Sequence, residues 1–311
     1  DHYIDALAKY LPQDFPECFD ILMDIKPHWD YGDPSDPIRS FAAWPITDFI
    51  AKHGLAHPEL SFTAMKHLTS LFSAEFAIRY FIKQDVNQAL AYLNRWVSDE
   101  DLHVRRLVSE GTRPRLPWGI RLNQFCNDPS PCLPLLEKLK DDPSEYVRRS
   151  VANHLNDIAK DNPDIVVETC LRWSKDASKE TQRVIKHACR TLIKAGNKDV
   201  FPLLGFTKTP KIEATTPNLS AKRIKLGDSL AFDLSIKSNS LKNQKLAIDF
   251  VIHHVKANGQ LSPKVFKLKE VTLKPNQTLS LSKRHAIKPI STRKYYSGKH
   301  LLEIQINGKV V

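Results

Sequence analysis

No apolar run in the 311-residue chain approaches the roughly 20 residues a membrane-spanning helix requires. Its opening residues lack the charged, apolar and small-residue succession of a secretory signal. There is no Cys-x-x-Cys pair, and the five cysteines (Cys18, Cys126, Cys132, Cys170, Cys189) are odd in number. Four of them sit in apolar helical contexts, which reads as buried free thiols in a reducing interior rather than a disulfide framework. A zinc site is not indicated either. His53 and His57 have helical spacing, but Gly54 and Pro58 interrupt the helix they would share, and no third ligand is evident. The expectation is a soluble globular chain without metal or cofactor. It opens on Asp1 rather than Met, so a leading segment is expected to have been removed or to lie outside it.

Negative charge is scarce in one part only. From Lys208 onward there are 20 Lys and Arg against 6 Asp and Glu, while the preceding residues carry 26 against 29. A basic tail on a nearly neutral body suggests a polyanionic partner, with nucleic acid the default. An anionic membrane surface is the weaker alternative, because no basic amphipathic helix with an aromatic face is present.

What the chain does have is a repeated helix. Asp101-Leu102-His103-Val104-Arg105-Arg106-Leu107-Val108-Ser109-Glu110 returns as Ser144-Glu145-Tyr146-Val147-Arg148-Arg149-Ser150-Val151-Ala152-Asn153, with Val104 and Val147 43 residues apart. That period is typical of two-helix HEAT-like repeats. Fainter copies run through Glu75–Tyr80 and Asp176–His187. Apolar residues recur at three- and four-residue spacing, as in Phe62, Met65, Leu68, Phe72 and in Val147, Val151, Leu155, Ile158. Asp142 is placed to cap the helix that Pro143 opens, and Asp161-Asn162-Pro163 starts the next in the same way.

Near residue 206 the period changes to two. Leu230 to Ile236, Leu246 to Ile252 and Leu302 to Ile306 alternate with polar neighbours; Val265–Leu273 and Thr278–Ile287 add two strands, with a turn at Lys274–Gln277. Six or seven short strands in about 100 residues fit a small β-sandwich. The reading is an α-α superhelix of HEAT-like repeats over 1–205, a polar linker over 206–220, and an immunoglobulin-like sandwich over 221–311. Asn307-Gly308 is the strongest hairpin turn, and only Lys309-Val310-Val311 follows it, so the last strand is expected to be cut short.

Arginines on stacked helices should make a basic concave face. The first arginine of each pair, Arg105 or Arg148, has an early Asp (Asp99, Asp142) with which it could form a structural ladder. The second, Arg106 or Arg149, is free to meet phosphate through its planar fork. Arg183, Lys186 and Arg190 extend the stripe. Three acids, Glu75, Glu110 and Asp157, fall in successive repeats, each near the end of an arginine-bearing helix. The bland reading makes them solvated surface acids and makes Trp118 a plug between repeats. Against it, carboxylates in a DNA-binding groove cost affinity unless they act on something cationic.

The segment Trp96–Trp118, ending in Glu110-Gly111-Thr112-Arg113-Pro114-Arg115-Leu116-Pro117-Trp118, resembles the signature of bacterial AlkC-type DNA alkylation repair enzymes. These belong to the HEAT-like-repeat alkylpurine DNA glycosylases. Asp142–Asp157 matches as well, and a C-terminal immunoglobulin-like domain is characteristic of that branch. The resemblance implies Glu110 as the main catalytic carboxylate, with Asp157 and Glu75 as neighbouring acids and Trp118 close by. It implies hydrolysis of the N-glycosidic bond of cationic N3-alkylated bases without base flipping; the alternative is a non-enzymatic HEAT-like scaffold whose β-domain docks an acidic partner, or a DNA-binding protein that releases no base. Candidate DNA contacts are Arg106, Arg113, Arg115, Arg148, Arg149, Arg183, Lys186, Lys222 and Arg223. The expected setting is a monomeric bacterial cytoplasmic enzyme, associated with the nucleoid through double-stranded DNA containing alkylated bases, with no membrane or metal partner.

Overall fold

The computed structural model describes residues 2–291 and 293–311. They form two compact units, one ending at Arg190 and the other spanning Thr191–Val311. The helical unit contains α1 (His2–Tyr10), α2 (Phe15–Asp24), α3 (Trp44–His53), α4 (Pro58–Leu68), α5 (Ile78–Gln84), α6 (Val86–Trp96), α7 (Leu102–Gly111), α8 (Asn123–Asn127), α9 (Leu133–Leu139), α10 (Glu145–Ile158), α11 (Pro163–Trp173) and α12 (Lys179–Ala188).

The two recurrent helices, α7 and α10, pack together, and α12 packs on the other side of α10. Val104, Leu107 and Val108 of α7 are buried, as are Val147, Val151, Leu155 and Ile158 of α10. Each such side chain contributes about 1.5–3 kcal/mol by leaving water. The Asp101 carboxylate caps α7 by accepting from the His103 N–H at 2.7 Å. The start of α10 differs from the sequence reading. Ser144 is its cap residue, while the Asp142 carboxylate accepts from the Ser144 N–H and from Arg105.

Gly111 does not stop its helix by turning left-handed. It is the last residue of α7, followed by Thr112 at φ −94°. A Cβ at Gly111 would lie 2.6 Å from Ile78 Cγ2, so close packing of α7 against α5 requires the glycine. Phe72 also departs from expectation. Helix α4 ends at Leu68, which leaves Phe72 in the following turn rather than in the helix stripe.

The second unit begins within α13 (Arg190–Lys194), continues with α14 (Val200–Leu203) and then forms eight strands: β1 (Ile212–Ala214), β2 (Asn218–Leu219), β3 (Ser229–Ser238), β4 (Gln244–Val255), β5 (Leu261–Leu273), β6 (Thr278–Ala286), β7 (Leu301–Ile306) and β8 (Lys309–Val310). In one sheet β3 pairs with β1, β2 and β6; the other runs β5-β4-β7-β8, and every pairing is antiparallel. Leu230, Phe232, Leu234 and Ile236 from β3 share one core with Leu246, Ile248, Phe250 and Ile252 from β4. Since β5 and β6 lie in different sheets, the Lys274–Gln277 turn passes between sheets and is no hairpin. Asn307 and Gly308 take φ of +48° and +75°, as a tight β7–β8 hairpin requires.

The unit boundary falls before residue 205. Phe201 and Phe206 pack with Ala247 of β4, and β1 and β2 pair with β3 inside the stretch read as linker. Among the described residues, no helix is long and apolar enough to cross a membrane.

Candidate functional site

Glu75 occupies the turn before α5, Glu110 the last turn of α7, and Asp157 the last turn of α10. Stacked repeats bring these three places together, and two arginines bridge them. Arg106 reaches Glu75 at 2.7 Å and Glu110 at 3.6 Å. Arg113 reaches Glu110 at 2.9 Å and Asp157 at 2.7 Å. Lys160 ends the row 2.8 Å from Asp157, and the Ser73 hydroxyl donates to Glu75 at 2.7 Å. The result is a line of alternating charge, Glu75–Arg106–Glu110–Arg113–Asp157–Lys160.

Neither bland reading survives this geometry. Glu110 is 3 % exposed and Asp157 2 %, so neither is a solvated surface acid. Trp118 is 81 % exposed and plugs nothing.

The loop after α7 owes its shape to Arg79. This side chain is fully buried, and its guanidinium donates to the carbonyls of Gly111, Arg113 and Ile120 at 3.1, 2.7 and 2.7 Å. Burial, reinforced by the nearby Arg113, lowers its pKa to about 10; Asp157, Glu75 and Glu110 work in the opposite direction. It therefore remains a cation at neutral pH. Burial also works against the charges of Arg106 and Arg113. There the adjacent carboxylates win, Glu110 and Glu75 for Arg106 and Glu110 and Asp157 for Arg113, and both pKa values rise above the ordinary arginine value.

The loop holds Trp118 at φ +64°, a left-handed conformation that a bulky side chain adopts only where its surroundings impose it. A Cβ on the next residue, Gly119, would lie 3.0 Å from Leu116 and 3.3 Å from Arg79 Nε. Trp118 stands beside a cleft of about 540 Å³ that Glu75, Arg106, Glu110 and Tyr146 also line. Trp44 stacks with Phe72, Phe76 and Trp118 at ring-centre distances of 5.2, 4.7 and 6.5 Å. Across the charged row, the Arg106 guanidinium lies 4.6 Å over the Tyr146 ring. The site thus offers fixed anions, neutralised from the protein side, next to an aromatic wall.

The remaining candidate arginines are less uniform. Arg105 donates to the carbonyls of Asp99 and Glu100 and forms a two-pronged ion pair with Asp142 of the following repeat. Arg148 donates to the carbonyls of Asp142 and Pro143. The structural ladder is therefore real, but it is made from backbone carbonyls and an inter-repeat carboxylate. Arg115 is paired with Asp161 at 2.5 Å. Arg106 and Arg113, read from sequence as phosphate contacts, are engaged by the site's own acids. Arg149, Arg183 and Lys186 are exposed on α10 and α12, whereas Lys222 and Arg223 are exposed in the other unit.

Sequence reasoning missed Arg79, Trp44 and Tyr146 as parts of this site. Arg79 sits in the faint upstream copy of the repeat, which was its only signal. Trp44 lies outside every repeat copy, so no spacing pointed to it.

A family model described as "DNA alkylation repair enzyme" matches residues 66–192, and one for the C-terminal Ig-like domain of the uncharacterised protein YhaZ matches residues 213–311. The uncharacterized protein YhaZ of Bacillus subtilis is 39% identical over 305 residues, covering 98% of this chain and 82% of that protein. The alkylpurine DNA glycosylase AlkC of Pseudomonas fluorescens, solved on DNA containing an abasic-site analog, superposes with a TM-score of 0.90 at 34% identity. That match covers 99% of this chain and 83% of the other.

Proposed function

Because this chain belongs to the AlkC-type DNA alkylation repair enzymes, we propose that it is a monofunctional DNA glycosylase acting on alkylated double-stranded DNA. Its substrates are cationic N3-alkylated bases, 3-methyladenine first and 3-methylcytosine second. The observation that carries this reading is the buried row of three carboxylates interleaved with Arg106 and Arg113 beside an aromatic cleft.

A cationic base needs no proton to leave. As its glycosidic bond breaks, positive charge moves to the deoxyribose, and a preorganised anion stabilises that oxocarbenium-like state by about 3 kcal/mol. Glu110, central in the row, takes this part, and Asp157 and Glu75 flank it and help orient the attacking water. Each carboxylate of the row is held by an arginine and is arranged to face positive charge rather than to hand a proton to a leaving base, so neutral bases are left in place. The exposed Trp118 face adds a cation–π attraction of about 1 kcal/mol and suits a lesion that stays near the stack. The Lys160 amine is engaged by Asp157 at 2.8 Å, which favours hydrolysis over Schiff-base chemistry. Arg149, Arg183 and Lys186, with Lys222 and Arg223 of the second unit, supply phosphate contacts to a monomeric enzyme in the bacterial cytoplasm.

Incubation with methylated DNA, followed by chromatography of the released bases, tests this reading. The expected product is 3-methyladenine. Release of uracil or hypoxanthine from suitable duplexes would overturn the mechanism. Tight binding of methylated DNA without any release would make the chain a non-catalytic DNA-binding protein.

A further inference from the structure

We propose that the Ig-like unit carries a second binding site, for a nucleoside monophosphate, at one end of its β-sandwich. A cavity of about 630 Å³ lies wholly within this unit, at least as large as the cleft beside Glu110. Its volume is in the range of small-molecule sites. The walls come from both sheets, with Leu230 of β3 on one side and Ile252 and Leu302 of β4 and β7 on the other. The segment Tyr295–His300 closes it, held against β4 at Gly298 (φ +145°), where a Cβ would press to 3.3 Å from Val255.

One residue of this lining is unexpected on packing grounds. Leu246, Ile248, Phe250 and Ile252 alternate into the sandwich core along β4, and the next inward position is His254, only 7 % exposed. Its Nε2 lies 2.8 Å from the Arg293 guanidinium. Arginine can only donate, so Nε2 accepts and the ring proton sits on Nδ1. Burial, with Arg293, His300 and His285 adding repulsion, lowers the pKa of His254 to about 4, which agrees with a neutral ring. The Nδ1 donor is buried and has no hydrogen-bond partner, while the residue itself lines the cavity. The rings of Tyr295 and His300 meet His254 edge-on, each at 5.5 Å.

The rim has one sign of charge. Lys222, Arg223, Lys225 and Lys299 line the cavity, and among the described residues no carboxylate does. Apolar and aromatic walls, an unspent hydrogen-bond donor and a cationic rim call for a flat group with acceptor atoms that carries an anion. A nucleobase joined to a phosphate has that chemistry, whether free or at an exposed strand end. A fatty anion would use the walls and rim but not the donor. The site lies in the other unit from Glu110 and does not depend on the glycosylase reading.

The test is equilibrium dialysis of the full chain against labelled 5′-deoxyadenosine monophosphate at low salt. Saturable one-to-one binding is expected, with deoxyadenosine and deoxyribose 5-phosphate each at least about tenfold weaker, because each lacks one recognised half. Lys225→Glu combined with Lys299→Glu, both on the surface, should weaken binding by about tenfold or more without lowering the melting temperature. His254→Phe should weaken it by about threefold or more. A 5′-phosphorylated tetranucleotide that displaces the label identifies a strand end as the natural source; failure to displace it identifies the free nucleotide. Three results would overturn the proposal: deoxyribose 5-phosphate binding as well as the nucleotide, decanoate displacing the label at lower concentration than the nucleotide itself, or indifference to the charge reversals.

Discussion

Helices α7 and α10 carry the same Val-Arg-Arg signature and put it to different uses. The first arginine is equivalent in both. Arg105 donates to the carbonyls of residues 99 and 100, and Arg148 to those of 142 and 143, the same six- and five-residue offsets. The second arginine is where they part. Arg106 is drawn into the site by Glu110 one turn on and by Glu75 from the preceding repeat. Arg149 finds Asn153 at the place of Glu110, and Asn153 turns instead to His187 and Arg190. Arg149 stays exposed. The repeat supplies scaffold and orientation; one acid at its end draws a surface cation into the buried row of ion pairs.

The largest break in this comparison should come from Arg113→Met. Removing a cation buried between Glu110 and Asp157 leaves Glu110 only the longer contact to Arg106 and Asp157 only the more exposed Lys160, which costs about 3–5 kcal/mol in a thermal or urea melt. Arg149→Met in the matching repeat should stay within about 0.5 kcal/mol. A stability loss below about 1 kcal/mol for Arg113→Met would mean that the row is not electrostatically coupled.

Next comes the acid itself. Glu110→Gln should lower single-turnover excision of 3-methyladenine about a hundredfold while keeping most DNA affinity. Asn153→Asp, which gives α10 an acid at the same place, should change excision less than about threefold, because the place that Arg113 holds after Glu110 is taken by Asn156 in this repeat and no Arg113-like bridge can form. Near-normal excision by Glu110→Gln would transfer the principal role to Asp157.

A smaller effect separates the repeats by pH. The counterpart of Gly111 is His154, fully buried and with its pKa pushed down to about 3 by burial and by Arg113 and Arg79. Its folded pKa lies below the unfolded value of 6.5, so the unfolded chain binds the extra proton. Stability is complete above pH 6.5 and falls as the medium is acidified toward pH 3. Between pH 6.5 and 5 the loss should be about 1.5 kcal/mol in urea melts, and His154→Leu should remove it. A slope that persists in the variant would place the acid sensitivity elsewhere.

The smallest difference concerns salt. Arg149→Ala should flatten the dependence of log K for DNA on log salt by about 0.9 units if that arginine meets a phosphate. Arg106→Ala should flatten it less, since Glu75 and Glu110 already engage that guanidinium. Equal changes would erase the distinction between the two arginines.

Much of this site was legible from the chain alone, because its acids lie near the ends of helices in successive repeats and periodicity points to such places. Glu75, Glu110 and Asp157 were read from spacing and resemblance, and the structure brings them into one row. Periodicity could not give the long-range partners. Arg113 was read as a phosphate contact because its neighbours in sequence, Pro114 and Arg115, say nothing of Asp157, 44 residues on. Arg79 looked like one more repeat arginine, yet its partners are loop carbonyls up to 41 residues away. Phe72 extended an apolar stripe on paper, and the turn after Leu68 swung it into the aromatic wall. Strand positions were read well since alternation is local; the crossing at Lys274–Gln277 was not, because sheet membership is a property of the whole unit.

The conformation of Trp118 bears on how fast the protein can engage a partner. Its ring projects from a loop that three Arg79 hydrogen bonds fix before anything has bound. A floppy loop would have to give up rotational freedom at each encounter, and that loss would recur for every undamaged stretch tested. Here the loss is incurred once, during folding. If the chain searches DNA as proposed, a probe held rigid in this way lets it sample and reject sites without rearranging itself, and its residence on intact duplex is then short.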